Sequence, residues 1–325
     1  MSHEPLVELI RDGLVEGVHH GSAVVLAPDG STRFAAGDVD TAMYPRSTAK
    51  PLQATAMARL GLRLSPAGFA IAAASHSGEP MHLDAALDVL GGRSPGLLGN
   101  PADFPFDPLE RDRWVAGGRA PSRTAHNCSG KHAAMLVTCE LNGWSTEGYL
   151  DPAHPLQRAI AATVEDLTGR DILRVAVDGC GAPLFATTLR GLATAVSKIA
   201  AAAPGTPEHL VADGIRTHPE LVGGSRRDVT AVMRAVPGLI AKDGFEAVQV
   251  AALPDGTAIA FKIADGGDRA RYPVLAALLG RCGVDVPPGP ENLRFTGNLS
   301  LRRPGVRVAE PPARGEAPNV TGSLR

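Results

Sequence analysis

Two stretches of the chain, near its opposite ends, place Val-rich runs on either side of an Asp-Gly turn. Residues 17–26 and 31–36 flank Ala27-Pro28-Asp29-Gly30, and residues 244–253 and 257–263 flank Pro254-Asp255-Gly256. Each pattern predicts a β-hairpin. A single hairpin is marginal alone, so the two are expected to share one antiparallel sheet of at least four strands. Between them the apolar period becomes helical, over residues 47–61, 67–74, 81–90, 132–141, 155–167, 187–203, 207–216 and 225–236. Ser65-Pro66 reads as a cap with a first-turn proline, Gly169 as a helix stop, and Ser225 as an N-cap with Asp228 completing a capping box. Residues 6–14 predict a short helix, 173–177 a short strand, 271–279 a further helix and 292–308 an edge strand. Lys242 is expected just before the first C-terminal strand and Lys262 inside the second.

The fold class is therefore α+β. A sheet subdomain built from residues 1–40 and 238–309 receives a mainly helical subdomain, residues 41–237, with a cleft at the junction. Residues 310–325, rich in Pro, Gly and Arg, are expected to form a mobile tail. Residues 91–128 show little periodicity beyond a turn near 109–115, which makes that long loop a candidate wall of the site.

Composition narrows the function. The chain has 325 residues with 32 Lys and Arg against 34 Asp and Glu, a formal net charge of -2. No overall field recruits nucleic acid or an anionic membrane. Nothing approaches eighteen consecutive apolar residues, and the start lacks a basic region followed by an apolar run. Four scattered cysteines (Cys128, Cys139, Cys180 and Cys282) are too few for a disulfide framework. These features predict a reduced, cytoplasmic, soluble protein.

The segment Tyr44-Pro45-Arg46-Ser47-Thr48-Ala49-Lys50-Pro51 places a hydroxyl and an amine three residues apart at a helix start. That is just under one turn, so Ser47 and Lys50 share a side. Serine needs a neighbouring base to act as a nucleophile, and a lysine held partly neutral can be one. The plain alternative makes Ser47 an N-cap and Lys50 a surface lysine. Cys128, in His126-Asn127-Cys128-Ser129-Gly130-Lys131-His132, precedes a helix, and Cys180 sits between two glycines. Spacing leaves a zinc site, a reactive thiol and plain structure all open. Cys139 and Cys282 read as ordinary thiols.

Together, Pro45 to Pro51, Ser75-His76-Ser77-Gly78-Glu79, His126 to His132 and Val177-Asp178-Gly179-Cys180-Gly181 resemble the Rhizobium-type (class 3) L-asparaginases. The order of hairpin, Ser-x-x-Lys helix, helical insertion and Lys-x-Gly before a returning strand is similar to the β-lactamase-like, penicillin-recognising serine hydrolases. The resemblance implies hydrolysis of L-asparagine to L-aspartate and ammonia by a homodimer, without a nucleotide cofactor. It implies Ser47 as nucleophile, Lys50 as general base and Lys242, preferred to Lys262, as a second basic group. Cys128, Lys131 and Cys180 would bind zinc beside the substrate pocket. Asp178 and His132 would hold substrate groups, with Arg46 and His76 helping to position them. A Ser-Lys hydrolase of glutamine, a β-lactam or a small peptide is the alternative, and a non-enzymatic zinc or thiol protein the other.

Overall fold

A computed structural model describes residues 2–287 and 293–295. Strands β1 (Glu4–Arg11), β2 (Leu14–Leu26) and β3 (Thr32–Ala36) form the N-terminal part of the sheet, and β4 (Val175–Val177) and β5 (Pro183–Phe185) a separate two-stranded ribbon. Strands β6 (Ile240–Gly244), β7 (Val248–Ala252), β8 (Ala258–Ile263) and β9 (Leu293–Phe295) complete the main sheet, in the order β6-β7-β8-β2-β1-β9, with β3 also on β2. Every pairing is antiparallel. The two ends of the chain meet at β2 and β8, where Gly21 to Leu26 pair with Ile263 to Ala258. β6 and β7 are buried at every residue, so both faces of that side of the sheet are covered.

The helices are α1 (Lys50–Arg59), α2 (Pro66–Ala72), α3 (Pro80–Leu90), α4 (Pro108–Ala116), α5 (Ser129–Leu141), α6 (Pro155–Thr168), α7 (Leu189–Ala200), α8 (Pro207–Thr217), α9 (Pro219–Val222), α10 (Asp228–Ala235) and α11 (Arg271–Arg281). All but the last are inserted between the two parts of the sheet. α1 is buried from Lys50 through Ala58 and packs against α5, α6, α7 and α8. An all-round buried helix can hold its first turn only in one place. α5 crosses α2 at Gly130, where a Cβ would lie 2.4 Å from Ile71 O. That close crossing fixes the turn before α5.

The α+β class, the antiparallel sheet and the inserted helices match the sequence reading, in the order expected of a β-lactamase-like serine hydrolase. Three local expectations change. Residues 6–14 form β1 and a two-residue turn, not a helix. Asp12 and Gly13 both take positive φ (48° and 80°), and Arg11 pairs with Leu14. Leu and Glu favour a helix in isolation, but pairing with β2 buries Leu6 and Val7 completely. Lys242 lies inside a strand rather than before the first one, because residues 240–244 form an additional strand, β6, that pairs with β7 across the 3-10 turn Phe245–Ala247. Ser225 does not cap α10. Its N–H donates to Glu79 Oε1 at 2.7 Å, its hydroxyl bonds Glu79 Oε2, and Arg227 occupies the N-cap position. The expected edge strand is present over Leu293–Phe295 against β1. The rest of it, and the expected tail, lie outside the described residues.

Candidate active site

Ser47 sits on a 3-10 turn, Arg46–Ala49, that leads directly into α1. It is half-buried and lines a cavity of about 300 Å³ with Ser75, Asn127, Arg227, Asp243 and Glu246. That is the small end of the range for ligand cavities, roughly 300–1,000 Å³. The wall opposite Ser47 is the end of β6. Gly244 approaches so closely that a Cβ there would lie 3.1 Å from Pro45 O and 3.3 Å from Ser47 N. The rim is backbone-strained: Arg46, Glu246 and Ala247 take positive φ (52°, 62° and 51°) without being glycine. Such conformations persist where the surrounding fold imposes them, and they cluster at sites.

Two lysines lie beneath the cavity. Lys50, 1% exposed, donates to Ala74 O, to Ser75 Oγ at 2.9 Å and to Cys128 Sγ at 3.0 Å. Among the described residues it makes no hydrogen bond to Ser47, although Ser75, its partner, shares the cavity with Ser47. Lys242, fully buried, donates to Asp243 O at 2.6 Å and to Asp243 Oδ1 at 2.8 Å. Burial pulls its pKa down to about 8, against the raising effect of Asp243 and with help from nearby Lys50. Burial would push the Asp243 carboxyl up, but Lys242, Arg227 and Arg271 outweigh it and hold it well below the usual carboxylate range. Lys262 faces elsewhere: it donates to Glu246 O at 2.9 Å and lines a second cavity.

That second cavity, about 520 Å³, adjoins the first across Glu246, which lines both. It contains Arg46 and Asp178, joined by an ion pair of 3.0 Å, with Tyr44 and Val177. His76 and His132 line neither cavity. His76 is fully buried, shares a 2.8 Å hydrogen bond with Ser129 Oγ and stacks on His82 at 5.1 Å; burial first, then His82 and Lys50, keeps its pKa far down. His132 Nδ1 lies 2.7 Å from Tyr149 Oη, and burial pulls its pKa down to about 4. Both rings are therefore neutral near pH 7.

Residues 7–310 match the family model described as L-asparaginase II. The chain belongs to the L-asparaginase II family. No curated protein matches it. Among solved structures, this family member is similar to Mglu in its native form, at 18% identity and a TM-score of 0.45, covering 82% of this chain and 65% of that one. The chain thus spans 65% of the length of that relative. It is also similar to a β-lactamase (Mb2281c) from Mycobacterium bovis, at 16% identity and a TM-score of 0.44, covering 81% and 95%. A third is EstCE1, a hydrolase with promiscuous acyltransferase activity, at 14% identity and a TM-score of 0.41, covering 78% and 91%.

The expected zinc site is corrected in this family member. Among the described residues no group of three or more His, Cys, Asp or Glu is arranged to hold a metal ion. Cys128 and Cys180 do come together, in a buried cluster with Ala182. Their partners, however, are amines. Lys131 Nζ donates to Cys180 Sγ at 3.2 Å, and Lys50 Nζ occupies Cys128 Sγ. A hydrogen bond from Cys128, then Lys131 and His132, holds the Cys180 thiol far below its ordinary range, against burial. Burial would lower Lys131, but the two sulfurs outweigh it and keep it protonated. A protonated lysine has no lone pair for a metal, and its charge already balances the thiolate. The fold thus closes this cluster as an ion pair.

Several residues of the cavity wall escaped the sequence reading, among them Glu246, Ser75, Asp243 and Arg227. Ser75 was within a recognised motif but gave no spacing signal to Lys50, which is twenty-five residues away and reaches it only because α1 and the end of α2 pack together. Asp243 adjoined a suspected lysine, and Arg227 was hidden by the misplaced cap at Ser225.

Proposed function

We propose that the chain hydrolyses L-asparagine to L-aspartate and ammonia, with Ser47 as nucleophile and Lys50, Ser75 and Lys242 handling its proton. The observation that carries this reading is Ser47 on a strained turn, facing a cavity sized for one amino acid and backed by two fully buried lysines. Ser47 Oγ bonds to the carbon of the side-chain amide while its proton passes to a lysine amine. Ser75 Oγ, 2.9 Å from Lys50 Nζ, is the group placed to relay it. Collapse of the adduct returns that proton to the departing nitrogen, which leaves as ammonia. Water then attacks the Ser47 ester, one proton again crossing through the amine, and aspartate is released.

Within the family, the four quoted motifs support a Rhizobium-type lineage. Exposed Tyr44, Val175, Val177 and Phe245 support a homodimer, which light scattering reads directly. The four free cysteines support a reducing, cytoplasmic setting. No helix among the described residues is long and apolar enough to cross a membrane. Ammonia release from L-asparagine and L-glutamine, ring opening of a β-lactam and amino-acid release from dipeptides, each with and without Ser47→Ala, test the activity. Asparagine should lead the panel and the variant should lose it; a panel led by another amide overturns the substrate, and an unimpaired variant overturns the nucleophile.

A further inference from the structure

Among the described residues, the cavity that holds Ser47 has one cationic side chain in its wall. Asp243, Glu246 and Asp268 are its carboxylates, and Arg227 is its cation. Arg46, which the family resemblance favoured for positioning substrate, lies in the neighbouring cavity with its charge matched by Asp178 at 3.0 Å.

Arg227 is built to present a fixed charge. One terminal nitrogen, Nη2, donates to Asp243 Oδ2, and the guanidinium lies over the Phe106 ring, 5.1 Å from its centre. The backbone at Arg227 is set by its place at the start of α10. The other terminal nitrogen, Nη1, is buried and has no hydrogen-bond partner among the described residues. A buried guanidinium donor without an acceptor is costly, and an incoming carboxylate oxygen would relieve that cost. Glu246 is the complementary feature. Its carboxylate takes no hydrogen bond among the described residues and lies against Gly266, where a Cβ would come within 2.6 Å of Oε2.

We infer that Arg227 receives the α-carboxylate of the substrate and that Glu246 receives its α-ammonium, so that the cavity selects a free amino-acid amide. This rests on the amide-hydrolase reading above and adds the group that recognises the substrate's main-chain end. Tethering both charges leaves the side-chain amide as the part free to meet Ser47.

Calorimetric binding to the Ser47→Ala protein tests this without turnover. L-asparagine is compared with succinamate, which lacks the α-ammonium, and with β-alaninamide, which lacks the α-carboxylate. Adding Arg227→Gln should weaken asparagine and succinamate by roughly ten- to hundredfold and leave β-alaninamide unchanged. Arg227→Lys should recover part of the loss, and Glu246→Gln should weaken asparagine and β-alaninamide but spare succinamate. In the enzyme with Ser47 intact, Arg227→Gln should raise KM more than it lowers kcat. Equal losses for all three ligands would make Arg227 a mere prop for Asp243 and overturn the proposal, as would unchanged asparagine affinity or no measurable binding of any ligand. Thermal melts of each variant separate these outcomes from unfolding. If asparagine binds in an Arg227-dependent way but is never hydrolysed by the intact enzyme, the recognition stands and the hydrolytic reading falls.

Discussion

Lys50 Nζ lies 2.9 Å from Ser75 Oγ, and this hydroxyl, not the amine, reaches the cavity wall that Ser47 shares. A relay of this kind makes Ser75 as necessary as the lysine behind it. Ser75→Ala should lower kcat by about 10²- to 10⁴-fold, and Lys50→Met or Ser47→Ala by at least as much. Single-turnover ammonia release measures it. A Ser75→Ala enzyme with more than a tenth of normal kcat would remove the relay from the mechanism.

Gly244 offers a purely geometric test. A methyl group there would press on Pro45 O and on Ser47 N at 3.1 and 3.3 Å, so the turn carrying the proposed nucleophile must yield by a few tenths of an ångström. Misplacing a reacting group by about 1 Å can cost about 10²-fold, so a smaller shift should cost roughly tenfold in kcat. The accompanying overpacking should destabilise by about 1 kcal/mol. Kinetics and a melting curve on Gly244→Ala check both, and a normal kcat would show that the turn is slack.

The pH dependence follows from Lys242, pulled down to about 8 chiefly by burial. If its neutral amine takes part in proton transfer, kcat/KM should rise through about pH 8 and level off above it. Stability has a definite sign too. Between about 8 and the ordinary lysine value near 10.4, the unfolded chain binds the proton and the folded chain does not, so stability rises with pH across that window. Lys242→Met should abolish that rise in denaturant titrations and remove the matching kinetic limb. An unchanged kinetic limb in the variant would assign it to another group.

The lysine and thiolate at Lys131 and Cys180 should behave as a buried ion pair. Removing one partner leaves an uncompensated charge, so Lys131→Met should destabilise by about 3–5 kcal/mol. Lys131→Met with Cys180→Ala should recover much of that loss. Chemical denaturation of the three variants closes the cycle, and additive losses would deny the pairing.

Much of this architecture was legible because its signals are local. Asp-Gly turns, Ser65-Pro66 and Gly169 each declare themselves within four residues, and they placed the hairpins and most helices correctly. Asp12-Gly13 carries the same Asp-Gly chemistry, yet residues 6–14 predict a helix when read alone, and pairing with β2 decides that segment. The motifs that supply residues of the candidate site were legible, and their grouping was less so. Ser47 and the Lys242 strand do meet, but Arg46 and Asp178 fall in a neighbouring cavity, and His76 and His132 are neutral core residues. Which side chains share a wall depends on how α1, α2 and β6 pack, and no spacing in the chain encodes that.

β6 is the last strand at its end of the sheet, yet every one of its residues is buried. The turn bearing Ser47 lies against it, closest at Gly244. An open sheet edge is a template on which a strand from another molecule can add, the first step of aggregation. Here the turn proposed to carry the nucleophile helps cover that template, so the segment assigned to the chemistry also helps keep one copy of the protein from polymerising with the next.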